Sequence, residues 1–261
     1  MQHLTKEKIK AVIFVHSYGI SKDISNFVKI CSQNKIEVIE DCAESFCAKA
    51  NNKLTGTMGK LPIFSFFSNN LITTGEGGMA LFKKKKHYEL AKTIRDHGMD
   101  SKKKYWHKQI GNNYRMTNLQ AAIGCAQIER IEELILRKQE ILKIYKSKLS
   151  KYKNISFNPE PKNILNGAWM PTAVFDAKLN ISRDNLINAF KEANIDARVF
   201  FYPLSSLDFF EDCIHNINSW DIPSRAINLP SYHDMTVEDI ERVCSVIKNL
   251  VTDYSSQEVK S

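Results

Sequence analysis

Long apolar runs are missing from this chain: the longest, Ala11–Val15, stops at five residues, far short of the ~18 that suggest a membrane span. Its opening residues, Met1-Gln2-His3-Leu4-Thr5-Lys6, hold no signal-peptide apolar stretch, so the expectation is a cytoplasmic chain with no membrane partner. Glycine and proline are scarce, 10 and 7 in 261 residues, which excludes collagen-like, linker and low-complexity classes. The six cysteines, Cys31, Cys42, Cys47, Cys125, Cys213 and Cys244, form no C-x-x-C pair and have no histidine at metal-ligand spacing. Buried free thiols in a reducing compartment are expected, with no metal. Acidic residues are the minority charge, 29 against 37 Lys+Arg for a net +8. Much of that excess sits in two runs, Lys83–Lys86 and Lys102–Lys104. No helix-turn-helix, zinc-finger or RNA-binding aromatic signature accompanies them, so nucleic acid is not the expected partner. Solvated loops or helix ends account for the runs, or attraction of a small anion.

What is present is 43% hydrophobic and 25% charged, enough for a substantial core at this length. The first half alternates β-rich runs with helical patterns: a buried strand at 11–15, a helix at 23–32, a strand at 36–40 ending at Asp41, a strand at 63–67 and another at 79–82. Alternation of this kind predicts βαβ units and a mostly parallel sheet whose strand ends carry function. From Asn118 to about Leu149 apolar residues recur at helical spacing, with room for one break. Beyond a loop-like stretch at 152–167, a strand at 170–175, a helix at 183–193, a strand at 198–201 and a closing helix at 237–251 predict a small α+β domain. The expected division is 1–127 for a large domain and 128–261 for the linking helix and small domain.

Three segments carry chemistry. In Phe64-Ser65-Phe66-Phe67-Ser68-Asn69-Asn70-Leu71-Ile72-Thr73-Thr74-Gly75-Glu76-Gly77-Gly78 an aromatic strand opens into a glycine-containing polar loop, where N–H groups and hydroxyls can surround an anion; a plain turn reads equally well. In Val38-Ile39-Glu40-Asp41-Cys42-Ala43-Glu44-Ser45 a carboxylate closes a buried strand, which is either a ligand position or a helix cap. The third, Gly111-Asn112-Asn113-Tyr114-Arg115-Met116-Thr117-Asn118-Leu119-Gln120, is a polar entry to the long helix. There Thr117 or Asn118 can simply cap it while Arg115 makes a surface ion pair.

Taken in this order, with Phe14-Val15-His16-Ser17-Tyr18-Gly19, Arg95-Asp96-His97-Gly98, Phe200-Phe201-Tyr202-Pro203-Leu204 and Asn228-Leu229-Pro230-Ser231, the chain resembles the DegT/DnrJ/StrS-type sugar-nucleotide aminotransferases, in their perosamine-synthase-like branch. The resemblance implies an α/β, aspartate-aminotransferase-like fold (type I), with a mostly parallel large domain and a small α+β C-terminal domain. It also implies pyridoxal 5'-phosphate (PLP) as cofactor. The substrates would be a 4-keto-6-deoxy nucleotide sugar, of surface-polysaccharide biosynthesis, and an amino-acid donor, Glu or Gln. Carried over residue by residue, Asp41 pairs with the pyridine nitrogen and keeps the ring an electron sink. Glu44 lies near its phenolic oxygen. Ser65 binds the phosphate, and Asn113 reaches the phosphate of a neighbouring subunit, which implies a homodimer.

Two departures accompany the resemblance. Five residues after the phosphate-binding serine the family has the lysine that joins the cofactor covalently and moves protons; here that position is Asn70. An amide is neither an amine nucleophile nor a group that titrates near neutrality, and Lys53 and Lys60 do not match the required position. The family's large domain also begins well before the strand matching 11–15, so the expectation is a chain equivalent to the C-terminal two-thirds of such an enzyme, with weakened phosphate binding. A transaminase disabled at Asn70 is one implied activity. The other is a non-catalytic homologue, or a subunit pairing with an intact homologue, that keeps the phosphate and dimer contacts.

Overall fold

The structure, a computed structural model, describes residues 9–258. It divides into two compact units, one comprising the chain up to Ile135 together with Lys162–Gly167, the other Leu136–Pro161 with Ala168 onward.

The first unit begins with β1 (Ala11–Val15), α1 (Ser25–Gln33) and β2 (Glu37–Asp41). Two short strands follow, β3 (Lys49–Ala50) and β4 (Lys53–Leu54), then β5 (Leu61–Ser65), β6 (Gly78–Ala80) and α2 (Lys85–Arg95). The four-stranded sheet has the order β1-β2-β5-β6. The first three strands are parallel, as expected, whereas β6 returns antiparallel to β5. The strand expected at 63–67 runs instead from Leu61 to Ser65. Phe66 leaves the ladder because its N–H donates to Gly77 and its carbonyl accepts from Thr74, which binds it to the following loop.

Strand alternation separates the two faces of this sheet. Val12, Phe14 and Val38 point to one side, where they pack with Ile24, Cys31 and Phe27 of the α1 segment. Ile13 and Val15 point to the other and are 61% and 50% exposed, so the strand expected to be buried at 11–15 has no buried residue: helix α1 covers one of its faces only. By register that open face also carries Ile39 and Asp41 of β2 and Ile63 and Ser65 of β5. Parallel sheets ordinarily have both faces covered; here that face is exposed along β1 and half-buried at the ends of β2 and β5.

The long helical stretch is broken once, at Arg130, into α3 (Asn118–Glu129) and α4 (Ile131–Lys148). Thr117 starts α3 with a capping box: its hydroxyl accepts from Gln120 N–H (3.2 Å), and the Gln120 side chain accepts from Thr117 N–H (2.9 Å). Arg115 makes a surface ion pair with Asp96 (3.4 Å).

In the second unit, β7 (Ile155–Phe157), β9 (Thr172–Phe175), β10 (Arg198–Val199) and β11 (Ala226–Asn228) form an antiparallel sheet of order β10-β11-β9-β7. Helices α5 (Arg183–Glu192), α6 (Ile217–Ser224) and α7 (Val237–Glu258) accompany it. Its core joins Tyr145 of α4 to Phe175, Phe190, Ile227 and Ile247, all essentially without exposure. The loop expected at 152–167 contains β7 and a further strand, β8 (Ile164–Leu165), which pairs with β3 in the first unit. Cys31, Cys42 and Cys244 are buried free thiols as expected, but Cys125 is exposed on α3.

Candidate functional site

The C-terminal ends of β2 and β5 bring three of the expected site residues together. Asp41 pairs in register with Ile63, so Ser65 stands two residues further along the neighbouring strand on the same open face. One Asp41 oxygen, Oδ1, accepts the N–H of Ala43 at 3.0 Å. Ser65 Oγ accepts the N–H of Phe67 at 3.2 Å, a bond that leaves the hydroxyl proton to be donated. Glu44 follows in the turn after β2, and its Oε2 accepts the N–H of Tyr18 at 2.8 Å. Burial pushes the Glu44 carboxyl up; the Tyr18 bond opposes this, the Asp41 charge adds to it, and the net shift is upward.

Asn70 sits half-buried in the turn behind Ser65, its N–H donating to Phe67 O at 3.0 Å. Lys60 is at the opposite end of β5 from Ser65, ~16 Å away at strand rise, and pairs with Glu37. Lys53 donates to Ser25 Oγ at 2.7 Å. The glycine-containing loop is not the hydroxyl cradle its composition suggests. Thr73 Oγ1 donates to Phe66 O (3.0 Å) and Thr74 Oγ1 to Glu76 O (2.7 Å), while Gly75 N–H is taken by Thr73 Oγ1 (2.9 Å). Asn113 lies apart, exposed at the base of a hairpin where it bridges to Asp96, with its Oδ1 accepting from Arg115 N–H at 3.4 Å.

A second arrangement was not read from the sequence. Glu40, next to Asp41 but on the covered face, is fully buried and gathers four donors. Gly56 N–H (2.9 Å) and His16 Nε2 (3.2 Å) meet its Oε2; Met58 N–H (2.8 Å) and Gly59 N–H meet its Oε1. Burial pushes this carboxyl up, but the bonds from His16, Gly59 and Gly56 outweigh it and hold it below the ordinary value. His16, Glu40 and Cys42 place ligand-type atoms within 4.8 Å of one another. That donor set is nonetheless committed internally: both Glu40 oxygens are engaged, and burial, with the charges of Glu40 and Asp41, pushes the Cys42 thiol far up, away from the thiolate a metal requires. The network ties β1, β2 and the 56–59 turn together directly behind Asp41. The available sequence signal was period two: an acid one position from a strand-end carboxylate faces the opposite side.

A match to the DegT/DnrJ/EryC1/StrS aminotransferase family extends over residues 1–248. This chain belongs to that family. Among curated relatives, the GDP-perosamine synthase of Vibrio cholerae is 35% identical over 248 residues, covering 93% of this chain and 67% of that protein. The chain therefore spans about two-thirds of that relative's length. In fold, Helicobacter pylori PseC, an aminotransferase of pseudoaminic acid biosynthesis, superposes with TM-score 0.89 at 20% identity over 97% of this chain and 70% of that one. A Streptococcus pneumoniae sugar aminotransferase solved in its PLP form gives TM-score 0.85 at 18% identity over 94% of this chain and 69% of that one. The DegT/DnrJ/EryC1/StrS chain thus has the type I fold of PLP-dependent aminotransferases, α/β with a mixed, mostly parallel sheet. No helix among the described residues is long and apolar enough to cross a membrane.

Proposed function

We propose that this chain holds PLP noncovalently within a nucleotide-sugar aminotransferase scaffold, and that Asn70 stands in place of the amine on which turnover depends. One observation carries the reading: Asp41 and Ser65 share the open sheet face at adjacent strand ends, with Asn70 in the turn immediately behind Ser65. The donor set fits the cofactor. A carboxylate with one oxygen unspent suits a protonated pyridine nitrogen, and a serine with its proton unspent suits a phosphate. When bound, PLP supplies an electron sink at the substrate carbon. Asp41 would pair with the ring nitrogen, Ser65 would hold the phosphate, and Glu44, whose carboxyl burial pushes up, would stand near the phenolic oxygen. Asn70 contributes hydrogen bonds but neither a covalent link nor a proton-transfer group.

By kinship with GDP-perosamine synthases, the substrate is a 4-keto-6-deoxy nucleotide sugar and the donor an amino acid. The exposed position of Asn113 supports a dimer in which that side chain reaches a neighbouring subunit's phosphate, either in a second copy or in an intact homologue.

The test is absorbance of the chain with PLP, followed by borohydride. The wild type is expected to bind PLP with no borohydride-fixed adduct and no amino transfer, Asn70→Lys to gain the adduct, and Asp41→Asn to bind PLP weakly. Amino transfer by the wild type, or PLP binding indifferent to Asp41→Asn, overturns the reading.

A further inference from the structure

One short turn, at 16–19, meets all three acidic residues of the segment 40–44. The His16 N–H donates to Asp41 O at 3.0 Å, one step beyond the last β1–β2 register pair, Val15 with Asp41. On the other side of the same peptide group the Cys42 N–H donates to Ile63 O at 2.9 Å. The backbone that carries Asp41 is therefore clamped between the ends of β1 and β5. The His16 ring, 1% exposed, reaches Glu40 Oε2 at 3.2 Å, while its Nδ1 has no hydrogen-bond partner among the described residues. Two residues on, the Tyr18 N–H donates to Glu44 Oε2 at 2.8 Å. The turn is itself held in place: Ile20 N–H donates to Ser17 O (3.1 Å) and Gly167 N–H to Gly19 O (2.8 Å). Tyr18 stands at φ +57°, a conformation that costs a bulky residue energy and persists only where its surroundings enforce it.

We propose that His16 is a positioning residue for the cofactor: through Glu40 and the 16–19 turn it fixes where Asp41 and Glu44 stand, without touching the ring itself. As a statement about PLP this rests on the cofactor reading above. Alternation sends Glu40 and Asp41 to opposite faces of β2, so whatever immobilises Glu40 from the covered side also sets the direction in which Asp41 leaves the strand. The other donors to Glu40 are the backbone N–H groups of Gly56, Met58 and Gly59, and a Cβ on Gly59 would lie 2.9 Å from Glu40 Cγ. They hold the acid from one turn only. His16 is the side chain that ties it to β1, the strand whose end also grips Asp41 and Glu44. Without that ring both backbone ladders remain, and Asp41 is present but less well aimed. A charge-assisted bond between a carboxylate and a pyridine N–H weakens steeply with angle and distance, so loss of aim is read directly in the cofactor.

Titration of PLP into the full chain, with the absorbance of the bound cofactor followed against pH, tests this. A carboxylate beside the ring nitrogen favours its protonated form, so the profile of bound PLP should lie above that of free PLP and Asp41→Asn should return it towards the free value. His16→Leu should move the profile in the same direction and weaken PLP binding about tenfold, the worth of one charge-assisted hydrogen bond. His16→Gln keeps an N–H donor and should restore both. Glu40→Gln alters the other end of the contact and should move the profile likewise, which keeps the proposal testable should His16→Leu not fold. Phe27→Leu, in the same covered core but outside the network, should lower the urea midpoint and leave the profile where it is. A profile unmoved in His16→Leu or Glu40→Gln, no rescue by His16→Gln, or an equal shift in Phe27→Leu would overturn the inference. No PLP binding by the wild type overturns both readings, whereas a profile that answers to Asp41→Asn and not to His16→Leu overturns this one alone.

Discussion

Replacing Glu40 by Gln probes the network behind Asp41 with almost no change of volume. The carboxylate accepts two N–H groups at each oxygen: Met58 and Gly59 at one, Gly56 and His16 at the other. An amide retains one acceptor oxygen, so in either orientation two buried donors face an NH2 group. Each unsatisfied buried donor costs ~1–3 kcal/mol. With two such donors the expected destabilisation is roughly 2–6 kcal/mol, read as a fall in urea midpoint at unchanged slope. The pH dependence adds a signature. Glu40 is held below its ordinary value in the fold, so its contribution is complete above the unfolded value of ~4.3 and disappears as pH falls through the folded value. The gap between wild type and Glu40→Gln should stay constant from neutral pH down to the ordinary carboxylate range and narrow only below it. A gap under about 1 kcal/mol, or one already shrinking near pH 6, would refute the argument.

Other expectations follow from single contacts. Gly98→Ala inserts a Cβ into the Gln109 carbonyl at a residue with φ +68°; hydrogen exchange across 96–113 should accelerate, and unchanged protection would show that the hairpin is not close-packed. Lys138, buried on α4 with Nζ donating to Ser231 O and Oγ (2.8 Å to Oγ), is pushed down to about 8 by burial. The fold disfavours its charged form, so stability should rise with pH between about 8 and 10.5, and Lys138→Met should abolish that rise in paired unfolding curves; parallel curves contradict it. Thr117→Ala removes the α3 capping box and should cost ~1 kcal/mol, measured by urea unfolding, with an unmoved midpoint as the contrary result.

Much of this molecule was legible from local pattern. Short β-rich runs marked β1 and β2, helical spacing marked α3 and α4, and the position of Asp41 at a strand end marked it as a ligand candidate. The motif order led to the family, which the match over residues 1–248 establishes. Helix α2 went unread although Tyr88, Leu90, Ala91 and Ile94 recur at helical spacing; none of its residues is buried. The strand pieces β7 and β11 are three residues each, too short to show alternation.

The sequence by itself determined which chemical groups are available: a strand-end carboxylate, a serine and an asparagine five residues apart, and lysines beside aromatic rings. Only the tertiary structure decided what those groups face. Glu40 and Asp41 are adjacent carboxylates of the same strand. Yet one is bound by donors 16 to 24 residues away in the chain, and the other lies half-buried on the opposite face, which Ser65 shares. The pleat sends neighbouring side chains to opposite faces, and the register of distant strands decides which face is covered.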